Sequence, residues 1–162
     1  MQKKELFQKL LKLTPKLIGI DGLGASGKTT LALEIQKLLD EGTIIHTDDF
    51  YRPIEQRTIG LVPEIVSPDF DWDLMGREVF KKKRIGTTIV VGVYALQSRF
   101  VPYYDFKIWV DAPHEVRLRR MTGREGPAVA GEWQAKWLPR EERYLEVDRP
   151  DKRADVIYEN NN

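Results

Sequence analysis

The chain has 162 residues, 41% of them apolar, the size of one ordinary domain with enough hydrophobic material for a core and too much for a disordered segment. Its 26 Lys and Arg against 25 Asp and Glu leave a net charge of +1, so no general electrostatic pull toward nucleic acid or a membrane surface is expected. The absence of Cys excludes a disulfide framework and a thiolate metal site, and no segment reaches the roughly 18 apolar residues of a membrane span, so a cytoplasmic location is the expectation.

The N-terminal stretch places Leu6, Phe7, Leu10, Leu11 and Leu13 among lysines. That amphipathic pattern predicts a short helix packed on the domain rather than a signal peptide, which needs a continuous apolar core. Lys16–Asp21 reads as a short apolar strand. A Gly-rich turn follows, and then Leu31, Ile35, Leu38 and Leu39 recur at helical spacing, which predicts a helix from Lys28 to about Asp40 closed by Gly42. Thr43–His46 is the second strand. Residues 50–70 carry Pro53, Pro63 and Pro68 with no clear period, a long segment of the kind that is usually functional. Asp73–Lys83 reads as a helix whose Lys81-Lys82-Lys83-Arg84 end is a solvated run suited to the helix dipole.

Thr87–Val91 and Lys107–Val110 are strands of the buried type. A helix starts near Pro113, a residue favoured in first turns. Trp133–Tyr144 reads as a charged helix, and Ala154–Tyr158 as a last strand. The alternation of strands and helices predicts one α/β domain over residues 1–162, with five parallel strands and helices on both faces.

Gly22-Leu23-Gly24-Ala25-Ser26-Gly27-Lys28-Thr29 meets the pattern G-x-x-x-x-G-K-[ST] in full. Backbone N–H groups must converge on phosphate oxygens there, so bulky side chains are excluded at the turns, and the following helix adds its N-terminal dipole. Lys28 supplies a point charge for the β- and γ-phosphates, and the Thr29 hydroxyl is a candidate ligand of Mg²⁺. The expected cradle is Gly22, Gly24, Ala25, Ser26, Gly27, Lys28 and Thr29, for ATP with Mg²⁺. Thr30 either reaches the α-phosphate or caps the helix. A strand before the loop and an amphipathic helix after it are the context this motif requires.

The second strand runs into Asp48 and Asp49. Ligands of an open parallel sheet lie beyond the carboxyl ends of its strands, which puts both carboxylates on the rim of the phosphate loop. There a carboxylate takes the proton of an attacking hydroxyl or holds a water on Mg²⁺; the other reading is a turn that uses Asp as a cap. Arg117, Arg120 and Arg124 are spaced i, i+3, i+7 and share one face if the helix continues that far. Either they meet nucleotide phosphates or they pair with Glu115, Glu125 and neighbouring carboxylates. Trp133, Trp137 and Tyr144 fall on roughly one side of a helix, a docking pattern. Neither His46 nor His114 has a visible partner, and no catalytic role is assigned to them.

The phosphate loop, Asp48-Asp49-Phe50-Tyr51, Phe70-Asp71-Trp72-Asp73, Asp111 before the helix of Arg117, Arg119 and Arg120, and the ending Lys152–Ile157 occur together. In this the chain resembles the uridine kinase and phosphoribulokinase branch of P-loop kinases, especially its small bacterial uridine-kinase-like members. The resemblance spans nearly the whole chain. It implies a P-loop NTPase three-layer sandwich with a short lid at about residues 119–140, in which Gly123, Gly126 and Gly131 allow movement. It further implies an ATP-dependent phosphotransferase acting on a small-molecule acceptor, a nucleoside among the candidates. Asp48 would be the base and with Thr29 would serve Mg²⁺; Lys28, Arg120 and Arg124 would stabilise phosphoryl charge; Tyr51 and Arg52 would line the acceptor pocket. Asp71, or Asp69, would hold ribose hydroxyls.

Two departures stand out. The family Glu at the end of the third strand is Val91 here, which cannot coordinate a metal. The passage from Phe80 to Thr87 is almost direct, where relatives place some tens of residues that help to form the acceptor pocket. An ATP-binding protein with weak or no kinase activity is therefore the alternative expectation.

Overall fold

The computed structural model describes the chain except Glu41, residues 59–63, Ile65, residues 82–85 and Asn162. Pro63, the Lys82-Lys83-Arg84 part of the basic run, and most of the short 80–87 passage fall outside the described residues.

Five parallel strands form one sheet: β1 (Leu17–Asp21), β2 (Gly42–His46), β3 (Thr87–Val91), β4 (Phe106–Asp111) and β5 (Val156–Glu159), in the order β2-β3-β1-β4-β5. The first strand is therefore central. Its register sets Ile18 beside Ile89 and Phe106, and Ile20 beside Val91 and Ile108. Side chains alternate across a strand, and this sheet uses both sides. Ile18, Ile20, Ile89, Val91, Ile108 and Val110 pack under Leu6 and Leu10 of α1 (Lys3–Leu13) and Leu31, Ala32 and Ile35 of α2 (Lys28–Leu38). Leu17, Val90 and Trp109 face the opposite layer, which contains Trp72 and Met75 of α3 (Trp72–Met75), Phe100, Tyr104 and Tyr144. Apolar runs in the strands follow directly from burial on both faces.

The remaining helices are α4 (His114–Glu125), α5 (Pro127–Glu132), α6 (Leu138–Asp148) and α7 (Pro150–Arg153). Several boundaries shift from the sequence expectation. Helix α2 stops at Leu38, and Gly42 opens β2 instead of closing the helix. The helix expected at Asp73–Lys83 is α3 followed by a π-helical turn over Gly76–Phe80. A second π-helical turn, Trp133–Trp137, joins α5 to α6, so Tyr144 lies well inside α6. Among the described residues no helix is long and apolar enough to cross a membrane.

Candidate functional site

Strand β1 ends at Asp21, which is fully buried, and the phosphate loop begins one residue later. The Asp21 carboxylate accepts from Gly22 N (2.7 Å), Leu96 N (2.8 Å) and the Tyr144 hydroxyl (2.7 Å). Burial pushes its pKa up to about 6, against the pull of these donors. One carboxylate thus ties the loop's first N–H to the segment after β3 and to α6.

The back of the loop is braced as well. Arg120 Nη1 donates to the carbonyls of Ala25 (3.1 Å) and Ser26 (3.0 Å), and Asn160 Nδ2 donates to Ser26 O (2.8 Å). In a trans peptide the next N–H points opposite to the carbonyl, so drawing Ser26 O backward turns the Gly27 N–H to the other side. Lys28 opens α2, and its Nζ donates to Leu23 O at 2.9 Å. Burial lowers its pKa, while the carboxylates of Glu141, Asp21 and Asp48 act to raise it.

A cleft of about 570 Å³ opens beside the loop. Gly24, Ala25, Gly27, Lys28, Thr29 and Thr30 form one wall. Past the ends of β2 and β3 it is lined by His46, Asp48, Tyr51, Val91 and Gly92, in keeping with the rule for open α/β sheets. Arg120 and Arg124 from α4, and Trp133, Trp137 and Glu141 from the last helices, complete it. Burial raises the Asp48 pKa, and the nearby Lys28 charge opposes that rise. The two adjacent aspartates divide: Asp48 lines the cleft, while Asp49 Oδ2 accepts from His46 N at 3.3 Å as a local cap.

The arginines divide too. Helix α4 does continue through Arg124, so all three share it. Arg117 is buried and donates to Ala112 O, Arg120 holds the loop, and Arg124 is exposed with Nε 2.7 Å from Glu125 Oε1. Tyr51 stacks on Phe70 at 3.9 Å, and both line the cleft. Arg52 and Asp71 lie outside the lining: Arg52 Nε donates to Pro68 O, its Nη1 sits 3.9 Å from Asp71, and Asp71 caps Leu74 N. Asp69 is consumed by a buried ion pair with Arg140 (2.9 Å) and by Thr58 N (2.6 Å). Trp133 and Tyr144 are docked, as their spacing suggests, but Trp133 and Trp137 also face the cleft.

Sequence reasoning missed Asp21, Glu141 and Asn160. Glu141 sits in the charged run Arg140-Glu141-Glu142-Arg143, where nothing local separates it from its neighbours. Its Oε2 accepts from Gly24 N at 2.6 Å and its Oε1 from Trp133 Nε1 at 3.3 Å. A Cβ on Gly24 would lie 2.7 Å from Trp133 Nε1 and 3.0 Å from the carboxylate, so this glycine is needed for the approach of α6.

No family model matches the chain. A uridine kinase of Clostridium botulinum (strain Kyoto / Type A2) is 30% identical over 182 aligned positions, covering 88% of this chain and 87% of that protein. The alignment is longer than the chain, so that relative carries residues this one lacks. Uridine-cytidine kinase B of Dictyostelium discoideum is 30% identical over 143 residues, 68% of this chain; the chain spans 58% of that protein's length. Among solved structures, a possible uridine kinase from Bacillus stearothermophilus superposes with a TM-score of 0.70 at 22% identity, covering 96% of each chain.

Proposed function

The chain belongs to the uridine kinase-like P-loop kinases, and we propose that, as one of them, it transfers the γ-phosphoryl group of ATP to a hydroxyl of a nucleoside or another small molecule. One observation carries this reading: Lys28 and Thr29 of the phosphate loop line the same cleft as Asp48 at the end of β2. A phosphate cradle and a carboxylate base on one rim are the parts that in-line transfer needs.

Asp48 takes the proton of the acceptor hydroxyl, whose oxygen then bonds to the γ-phosphorus as the bond to the β-phosphate oxygen breaks. Lys28 leaves Leu23 O for the phosphates and neutralises their charge. Arg120 acts chiefly by holding Ala25 and Ser26 in the loop, and Arg124, exposed at the cleft edge, is the cation that would meet the transferred phosphoryl group. For Mg²⁺ the donor set fits in part. Among the described residues no group of three acidic or His side chains could hold a metal alone, so Thr29 and Asp48 would bind it together with nucleotide phosphates. When bound, the ion would neutralise negative charge on the nucleotide phosphates.

ATP consumption against a panel of nucleosides and small alcohols tests this reading. Asp48→Asn is expected to lower kcat by about 10²–10⁴ and leave the affinity for Mg²⁺-free ATP within a few-fold. A parallel collapse of ATP binding would show that Asp48 is not a dedicated base. The acid limb of kcat/KM is expected above the ordinary aspartate range, because burial raises the Asp48 pKa and protonation removes the base.

The second reading, nucleotide binding with little transfer, is favoured by Val91. It is fully buried, paired beside Ile20 and His46, and puts no carboxylate at the end of β3. ATP binding with no acceptor phosphorylated at any Mg²⁺ concentration would select it.

A further inference from the structure

Among the described residues, Asp48 and Glu141 are the two carboxylates that line the cleft, and only Asp48 has a part in the proposed transfer. Glu141 is 7% exposed, held on α6 between the phosphate loop and the aromatic end of the cleft formed by Tyr51, Phe70, Tyr94 and Trp137. Its two hydrogen bonds come from neutral donors, Gly24 N and Trp133 Nε1. A carboxylate offers about four lone-pair sites. Among the described residues each Glu141 oxygen has one donor, so each keeps the capacity to accept a further hydrogen bond from the cavity that the carboxylate lines.

The ordinary function of such a carboxylate would be to neutralise a cation. Among the described residues Glu141 has no ion pair, and Lys28 and Arg117 act on it only from beyond pairing distance. The other acidic groups near the acceptor end are committed: Asp69 to Arg140, Asp71 to the α3 cap. Glu141 is thus a buried carboxylate, bonded only by neutral donors, on the wall of the cleft.

We propose that Glu141 is a specificity-determining residue of the acceptor site, which accepts a hydrogen bond from an O–H or N–H group of the acceptor other than the hydroxyl that is phosphorylated. The proposal rests on the kinase reading for the identity of the bound molecule. It implies an acceptor with at least two donor groups, spaced to span Asp48 and Glu141. A polyol ring meets this through a second hydroxyl, and a heterocycle through a ring N–H. Burial raises the Glu141 pKa, so the charged form that accepts most strongly is favoured by any further donor.

The test reads binding without turnover, from the fluorescence of Trp133 and Trp137, which line the cleft. The wild-type chain is titrated with uridine, with 3-methyluridine, which lacks the ring N–H, and with 2′,3′-dideoxyuridine, which lacks the second hydroxyls. The expected result is a loss of about tenfold or more in affinity for one of the two analogues, and which one identifies the donor. Equal affinity for all three, or no saturable quenching by any of them, overturns the proposal without the need of a variant. Glu141→Gln is expected to weaken uridine binding by about tenfold and to abolish its advantage over the sensitive analogue, with Glu141→Asp restoring part of both. The affinity for a fluorescent ATP analogue falls by less than that for uridine and by less than about tenfold, because the Gln amide oxygen keeps the bond from Gly24 N. An equal loss for uridine and the analogue, or a tenfold loss for the nucleotide, would mean that Glu141 only supports the loop. A chain that binds uridine in this pattern and transfers no phosphate defeats the kinase reading and leaves the role of Glu141 standing.

Discussion

Asp21 stands at the junction of β1 and the phosphate loop, and its cost and its use are both electrostatic. Three donors hold its carboxylate, yet full burial lifts its pKa from 3.8 to about 6. A folded pKa above the unfolded one means that the folded state binds the proton more tightly. This group's stabilisation is therefore complete below about pH 4 and is lost as pH rises through about 6, by on the order of 3 kcal/mol. Urea unfolding of the wild type and Asp21→Asn across pH 4 to 7 measures it. The stability difference, wild type minus variant, is expected to fall by about that amount, and a flat difference would show that Asp21 is solvated. Neighbouring residues repeat the lesson that residue type does not settle role: Asp48 and Asp49 are adjacent, and one lines the cleft while the other caps a turn.

Between elements, the segment after β2 is fastened to α6 by one buried ion pair. Arg140 and Asp69 are 6% and 1% exposed and 2.9 Å apart, and Thr58 adds its N–H to Asp69 and its carbonyl to Arg140. Removing one partner leaves an uncompensated buried charge, so Arg140→Ala is expected to cost about 3–5 kcal/mol in denaturant unfolding. Asp69→Asn with Arg140→Met is expected to cost less than the sum of the single changes, because the pair is a unit. A loss below 1 kcal/mol in the single variant would mean that water reaches the pair. The same anchor brings Tyr51 and Phe70 to the cleft from one side and Glu141 from the other. The strands, α1 and α2 were legible because their apolar periods are local properties of the chain. The π-helical turns over Gly76–Phe80 and Trp133–Trp137 were not, since five residues are too few for a change of helical period to show in the apolar pattern.

Over the whole molecule, nucleotide binding and folding are linked. The loop is held by β1, α4, α6 and the residue after β5 at once, through Asp21, Arg120, Glu141 and Asn160. A ligand at 100 times its Kd adds about 2.7 kcal/mol to the folded state, which for a domain of this size is a rise in Tm of roughly 5–10 °C. ATP with Mg²⁺ is expected to produce this shift in the wild type and little or none in Lys28→Ala, followed by thermal denaturation. An equal shift in both would place the nucleotide elsewhere.

The phosphate loop, the five strands and the place of Asp48 on their rim were readable from the sequence alone, because each is a short pattern whose chemistry requires those residues at that spacing. The kinase family was readable for the same reason, from Asp48, Phe50 and Tyr51 together with the loop. Tertiary structure alone decided which charged residues face the cleft. Arg120 turned inward to the loop's carbonyls, Asp69 and Arg140 consumed each other, and Glu141 came across from α6 to Gly24, 117 residues away in the chain. Electrostatic and hydrogen-bond partners are chosen by proximity in space, and no local spacing in the chain records that choice.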